Sequence, residues 1–205
     1  MTIVKEGLPF IIAPFIPAIT LLFLNLGLIF TALSVVLLII TFFCIFFFRD
    51  PNIKITEGED FILSPCNGTV MEVVENENEK VLRVFLSIFN VHLQRSPIDG
   101  FVRSVEHRDG KFLMAMNPKA FIENEQNIIT IESKYGVFIV RQIAGFLARR
   151  CVSWVKEGDT LTKGQKIGLI KFSSQVDLHL PANMTIRVKK GDKIVSGKTI
   201  VGDIA

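Results

Sequence analysis

The chain has 205 residues, and its 49% hydrophobic content with a mean hydropathy of +0.43 excludes an ordinary soluble domain unless one region concentrates the excess. A net charge of +3 suits an anionic lipid surface but lacks the dense basic stripe of a nucleic-acid binder, so nucleic acid is not an expected partner. Cys44, Cys66 and Cys151 lack CxxC spacing; neither a metal site nor a disulfide framework is expected, and a reducing cytoplasmic setting is the simplest reading.

The apolar excess lies at the N-terminus, where no charged residue occurs from Gly7 to Phe48. Leu28 to Phe48 is a continuous apolar run, close to the roughly 20 residues that carry a helix across a bilayer core. The preceding Leu8 to Leu24 is equally uncharged but holds Pro9, Pro14 and Pro17, and the interruption at Asn25 to Gly27 can turn the chain. A helical hairpin is the preferred reading, with Lys5 at one end and Arg49 and Lys54 at the other marking a cytoplasmic side. One span preceded by an interfacial piece also fits. A cleaved signal peptide fits poorly, because the run is too long and lacks an A-x-A site. Residues 1–50 are therefore read as a membrane anchor of one or two helices, and 51–205 as one soluble domain.

Beyond Pro51 the pattern becomes short β-branched runs punctuated by glycine, predicting strands at Val70 to Val74, Val81 to Leu86, Ile128 to Glu132, Val137 to Ile143, Lys166 to Lys171 and Met184 to Lys189. Two segments repeat: Val155-Lys156-Glu157-Gly158-Asp159-Thr160-Leu161 with Gly164 and Ile167, and Val188-Lys189-Lys190-Gly191-Asp192-Lys193-Ile194 with Gly197 and Ile200. Each reads as strand, tight Gly-Asp turn and return strand. The fold class expected is mostly β, a barrel-sandwich-like domain with an internal repeat, as in biotinyl and lipoyl carriers and membrane-fusion adaptors. A carrier would need a lysine at the hairpin tip, where this chain has Phe172 to Gln175.

Several ordered segments carry a more specific resemblance. They are Phe47-Phe48-Arg49-Asp50-Pro51, Ser64-Pro65-Cys66-Asn67-Gly68, Asn90-Val91-His92-Leu93-Gln94-Arg95-Ser96-Pro97, and Asp109-Gly110-Lys111-Phe112. Further on come Asn117-Pro118-Lys119-Ala120 with Glu123-Asn124-Glu125, Gln142-Ile143-Ala144-Gly145 with Arg149-Arg150, and Lys171-Phe172-Ser173-Ser174-Gln175-Val176-Asp177 before Leu178-His179-Leu180-Pro181. Together these resemble the short, membrane-anchored phosphatidylserine decarboxylases, which cleave their own backbone in front of a serine.

The resemblance implies a covalent pyruvoyl cofactor derived from Ser174, made by cleavage between Ser173 and Ser174 into two chains, the smaller of 205 − 173 = 32 residues. It implies a Schiff base with phosphatidylserine, release of carbon dioxide and formation of phosphatidylethanolamine at a cell inner membrane, with the soluble domain on the cytoplasmic side. It implies a homodimer. His92 is the candidate proton carrier, since an imidazole titrates near neutral pH. Asn67 occupies the place of an orienting carboxylate. Arg149 and Arg150 are candidates for the lipid phosphate, Gly145 for close substrate approach, and Gln142 is grouped with them. Read without the resemblance, His92 is a core or surface histidine, the Ser173-Ser174 pair a solvated turn, and the arginines a solvated or lipid-facing pair. His107 and His179 read as structural or exposed.

Two positions depart from the family pattern. Ser173 replaces the usual glycine, which narrows the backbone conformations open to an acyl shift. Asn67 replaces the usual aspartate, and an amide takes up no proton at neutral pH. The chain is thus read as maturing slowly, against the alternatives of a processing-deficient relative or a membrane-tethered adaptor without enzymatic activity. The adaptor reading is weakened because no heptad run forms the helical hairpin it needs.

Overall fold

In the computed structural model the described residues are 1–111, 113, 120–145, 150–171 and 174–204. They form two compact units, Met1–Asn52 and Ile53–Ala205.

In the first unit α1 (Leu8–Leu24) and α2 (Leu28–Phe47) form a hairpin. Asn25 in the left-handed region (φ 45°) and Gly27 (φ 101°) make the turn. The hairpin is closed at its open end by β1 (Thr2–Ile3) pairing antiparallel with β2 (Arg49–Asp50). Helix α1 runs through Pro14 and Pro17 rather than breaking there, as helices do in apolar surroundings when neighbouring groups re-satisfy the backbone. The buried positions are mostly small, Ala18 on α1 and Ser34, Thr41 and Cys44 on α2, with Phe47 buried at the end of α2. The hydroxyls of Ser34 and Thr41 donate back to Phe30 and Leu37 carbonyls, leaving no donor for lipid to accommodate. Large apolar side chains such as Phe23 (86% exposed) and Leu28 (85%) cover the outside. Both helices are long and apolar enough to cross a membrane.

The second unit is mostly β, as expected. Its first strands are β3 (Phe61–Leu63), β4 (Gly68–Glu75), β5 (Glu79–Leu86), β6 (Leu93–Arg95) and β7 (Gly100–Arg108). After the one-turn helix α3 (Ala120–Glu123) come β8 (Gln126–Ser133), β9 (Gly136–Ala144), β10 (Arg150–Ser153), β11 (Thr160–Leu161) and β12 (Lys166–Lys171). The chain ends with β13 (Ser174–Pro181), β14 (Thr185–Ile186), β15 (Lys193–Ile194) and β16 (Ile200–Asp203). An eight-stranded antiparallel sheet has the order β11-β7-β8-β9-β13-β5-β4-β15. Two three-stranded sheets, β10-β12-β6 and β14-β16-β3, complete the unit.

The core follows the two-residue period of the strands. Leu82, Val84 and Leu86 on β5, Val176, Leu178 and Leu180 on β13, Phe138 and Val140 on β9, and Ile129 and Ile131 on β8 are all buried in one cluster. The strand expected at Met184 to Lys189 is reduced to Thr185–Ile186, with Arg187 N donating to Val201 O in the same register on β16. Two long strands, β7 and β13, were not anticipated. Their alternation is masked by charge on the outer face of β7 and by three buried polar residues at the start of β13.

The internal repeat is a structural one and is larger than the Gly-Asp units. In the first unit of the repeat Gly158 donates to Val102 O and Val102 to Asp159 O; in the second Gly191 donates to Val70 O and Val70 to Asp192 O. Each turn thus docks on one of two matching segments, Ser64-Pro65-Cys66-Asn67-Gly68-Thr69-Val70 and Ser96-Pro97-Ile98-Asp99-Gly100-Phe101-Val102. Ser64 Oγ donates to Cys66 O and Ser96 Oγ to Ile98 O, both at 2.7 Å.

Candidate active site

Ser174 is the first residue of β13, the strand flanked in the middle of the large sheet by β5 and β9. Its Cα partners are Leu86 on β5 and Ala144 on β9. Alternation along β13 puts Ser174 on the same side as Val176, Leu178 and Leu180, so its hydroxyl enters the core side of the sheet. The residue is completely buried, and Ser174 Oγ has no hydrogen-bond partner among the described residues. This corrects the solvated-turn alternative: the serine is held in extended backbone, away from water. A buried hydroxyl without a partner costs about 1–3 kcal/mol, a cost expected where a group is kept for chemistry. Ser173 lies outside the described residues.

His92 sits just ahead of β6 and is also fully buried. Its Nδ1 lies 3.0 Å from Asn90 O. A carbonyl can only accept, so Nδ1 carries a hydrogen, and in the neutral ring Nε2 then carries the lone pair. The His92 carbonyl accepts from Ile170 N at 3.1 Å, which fixes the residue to β12, the strand leading into the Ser173-Ser174 link. Asn90 is itself fixed, its Oδ1 accepting from the backbone N–H and hydroxyl of Ser87 at 2.9 and 2.8 Å.

Gln142, on the core face of β9, is completely buried, and both ends of its amide are engaged. Nε2 donates to Gln94 Oε1 at 2.7 Å, and Oε1 accepts from Asn127 Nδ2 at 3.1 Å. Gly145 directly follows Ala144 and is buried beside the Ser174 register. Asn124 Nδ2 donates to Ala144 O at 2.6 Å, tying the end of α3 to the same place. Arg150 is exposed and opens β10 with Lys171 as its Cα partner, making a positive edge at the strand end that precedes Ser174. Arg149 lies outside the described residues.

Asn67 is at the Ser174 end of the sheet, since β4 aligns Thr69 with Phe85, and Phe85 aligns with Gln175. Its Oδ1 accepts from Ser196 N at 3.1 Å. Its counterpart in the repeat, Asp99, accepts from Lys163 N at 2.6 Å.

Sequence reasoning did not single out Gln94, Asn124 or Asn127, nor the buried carboxylates Glu125 and Asp177. The available signal was positional: Asn127 and Gln142 each end an apolar alternation on the core face, where a polar residue is out of place. Glu125 Oε1 accepts from Cys151 N at 3.0 Å. Burial holds the Asp177 carboxyl above its usual range, despite the Gln175 amide and the Arg83, His179 and Arg141 charges. Burial likewise pushes the Cys66 and Cys151 thiols upward, with help from Asp177 and Glu125 respectively, so neither is poised as a nucleophile. The reactive candidate of this region is therefore the hydroxyl. A group formed from residue 174 itself suits a site whose only unengaged buried oxygen, among the described residues near it, is Ser174 Oγ.

Comparison with known proteins gives the family. Residues 40–202 match the family model described as phosphatidylserine decarboxylase. The chain is 41% identical over 209 aligned residues to the phosphatidylserine decarboxylase proenzyme of Geotalea uraniireducens (strain Rf4), covering 98% of this chain and 95% of that protein. The chain therefore belongs to the phosphatidylserine decarboxylase family of carboxy-lyases.

Proposed function

We propose that the chain cleaves itself in front of Ser174 and, in the two-chain form, converts phosphatidylserine to phosphatidylethanolamine at the cytoplasmic face of a membrane. The observation that carries this reading is Ser174 Oγ, fully buried at the head of a central strand with no hydrogen bond to hold it.

The Ser174 hydroxyl attacks the Ser173 carbonyl carbon, with His92 Nε2 taking the hydroxyl proton and passing it to the Ser174 nitrogen as the peptide C–N bond breaks and an ester forms. Loss of the Ser174 Cα proton then expels the Ser173 carboxylate from Cβ and leaves a dehydroalanine. Its tautomer adds water and releases ammonia, ending the 32-residue chain in a keto acid (205 − 173). That pyruvoyl group supplies an electron sink for the pair freed as carbon dioxide departs. His92 returns a proton to the substrate carbon. Arg150 and Lys171 hold an anionic head group at the edge beside the site, with Arg149 and Gly145 completing its approach. Gln142 serves through the neighbours its amide binds. The helical hairpin tethers the unit to its lipid substrate, and the assembly is a homodimer.

Intact-mass measurement and Edman sequencing of protein purified from membranes test the reading. The expected products are a fragment beginning at position 174, blocked to Edman chemistry, and a Ser174→Ala protein that stays whole at 23.0 kDa. Protein that converts serine head groups with the 173–174 link intact would overturn it.

A further inference from the structure

Four side chains form a single hydrogen-bonded row from the surface to His92. His107 Nδ1 lies 2.7 Å from Asn127 Oδ1, Asn127 Nδ2 donates to Gln142 Oε1 at 3.1 Å, Gln142 Nε2 to Gln94 Oε1 at 2.7 Å, and Gln94 Nε2 to the His92 carbonyl at 2.7 Å. The direction of the row is forced from one end. The His92 carbonyl only accepts, so Gln94 must present its NH2 there and its oxygen to Gln142. The same constraint passes through Gln142 and Asn127, and His107 must present an N–H. Every amide dipole therefore points its positive end toward His92.

Stability does not account for this row. Gln94 and Gln142 are fully buried and Asn127 is 4% exposed; Asn127 and Gln142 lie on the apolar core side of the large sheet, and Gln94 meets them from β6. Fully satisfied amides contribute little net stability there, and apolar groups of the same shape do about as well. What the row does provide is a fixed His92 backbone: its carbonyl is held by Gln94 and by Ile170 N, and its ring Nδ1 by Asn90 O.

We infer that Asn127, Gln142 and Gln94 are positioning residues, terminated by His107, that hold the His92 backbone where its ring Nδ1 donates to Asn90 O and Nε2 carries the lone pair. This rests on the proton-carrying role given to His92 above. The aligned row also defines what breaks it. An apolar side chain at position 142 removes two links, leaves the Gln94 amide free to rotate, and lets His92 relax.

The test uses the full chain in lipid nanodiscs. Gln142→Met, of similar volume, strands Asn127 Nδ2 and Gln94 Oε1 and is expected to melt below wild type while staying folded at the assay temperature; turnover there falls roughly ten- to a hundredfold at unchanged KM, as for a misplaced catalytic group. His107→Ala, at a half-exposed site, is expected to lower turnover in the same way. His107→Gln is expected to restore it, since a Gln NH2 can donate to Asn127 Oδ1. The chain has only three histidines, so 15N-histidine labelling in the uncleaved Ser174→Ala protein reads the His92 ring directly. There Gln142→Met is expected to add Nε2–H signal at the expense of Nδ1–H. Unchanged turnover and tautomer in Gln142→Met overturn the inference. So does a loss confined to KM, which would mark Gln142 as a substrate contact. If the wild-type chain neither cleaves nor decarboxylates, the proposed function fails, and the tautomer measurement still decides this inference.

Discussion

Asn67 and Asp99 make the same hydrogen bond in the two halves of the internal repeat: each side-chain oxygen accepts the backbone N–H of a residue in the docked Gly-Asp unit, Ser196 in one half and Lys163 in the other. A carboxylate is therefore sterically and electrostatically accommodated in this setting. Asn67→Asp is expected to change stability by less than about 0.5 kcal/mol. It is also expected to speed self-cleavage roughly tenfold or more, because a carboxylate near the site can support a protonated imidazole where an amide cannot. Appearance of the 32-residue fragment with time after synthesis measures this (205 − 173). Cleavage no faster than wild type would mean that residue 67 only latches the hairpin.

The hairpin was legible because its turn chemistry is local: Asn25 and Gly27 interrupt two uncharged runs and adopt the positive φ that such an interruption needs. The Gly-Asp turns were legible for the same reason, with Gly158 and Gly191 at φ 87° and 95°. Strand β13 was not, because Ser174, Gln175 and Asp177 read as polar turn residues until the sheet buries them between β5 and β9. The amide row was illegible for a related reason. Gln94, Asn127 and Gln142 come from three strands, and only the register of β8 on β9 and the approach of β6 bring them together. Their common signature, a polar residue on an apolar face, marks each one without naming its partner.

In the two-chain form proposed above, only non-covalent contacts would retain the small fragment. Leu178 is fully buried with Leu82 and Val140 as register partners, in the strand that begins at the cut. Leu178→Ala is expected to cost about 2–5 kcal/mol. Because fragment retention then depends on mass action, size-exclusion in moderate urea should show the 32-residue chain lost from the variant at concentrations where wild type keeps it (205 − 173). Equal retention would show that the strand ladder alone suffices.

Asp177 gives a pH signature with a definite sign. Burial raises its folded pKa above the ordinary carboxylate value, so the folded state binds this proton more tightly than the unfolded state. Its contribution to stability is fully present below the unfolded pKa and is lost as pH rises through the raised folded value. In Asp177→Asn the Gln175 contact can be kept while the titration is removed. Melting temperature against pH should thus fall less steeply in the variant across the weakly acidic range. Parallel profiles for the two proteins would assign the slope to other groups.

The surface around Ser174 bears on how a lipid reaches it. Phe89 and Ile122, each 67% exposed, are the most exposed large apolar side chains among the described residues of the second unit. Phe89 lies three residues beyond Leu86, the β5 partner of Ser174, and Ile122 lies two before Asn124, which bonds the carbonyl of its β9 partner Ala144. Apolar groups flanking a site, with the positive Arg150 and Lys171 edge nearby, fit an anionic bilayer surface. Exchanging both for serine removes about 2–4 kcal/mol of apolar contact if they enter lipid. KM for phosphatidylserine in vesicles should therefore rise at least tenfold, while kcat and activity on a short-chain, monomeric phosphatidylserine stay as in wild type. Arg150→Gln should raise KM for both substrates, because a head-group contact is needed in either setting. A double-serine variant with unchanged vesicle KM would show that the helical hairpin alone brings the site to the bilayer.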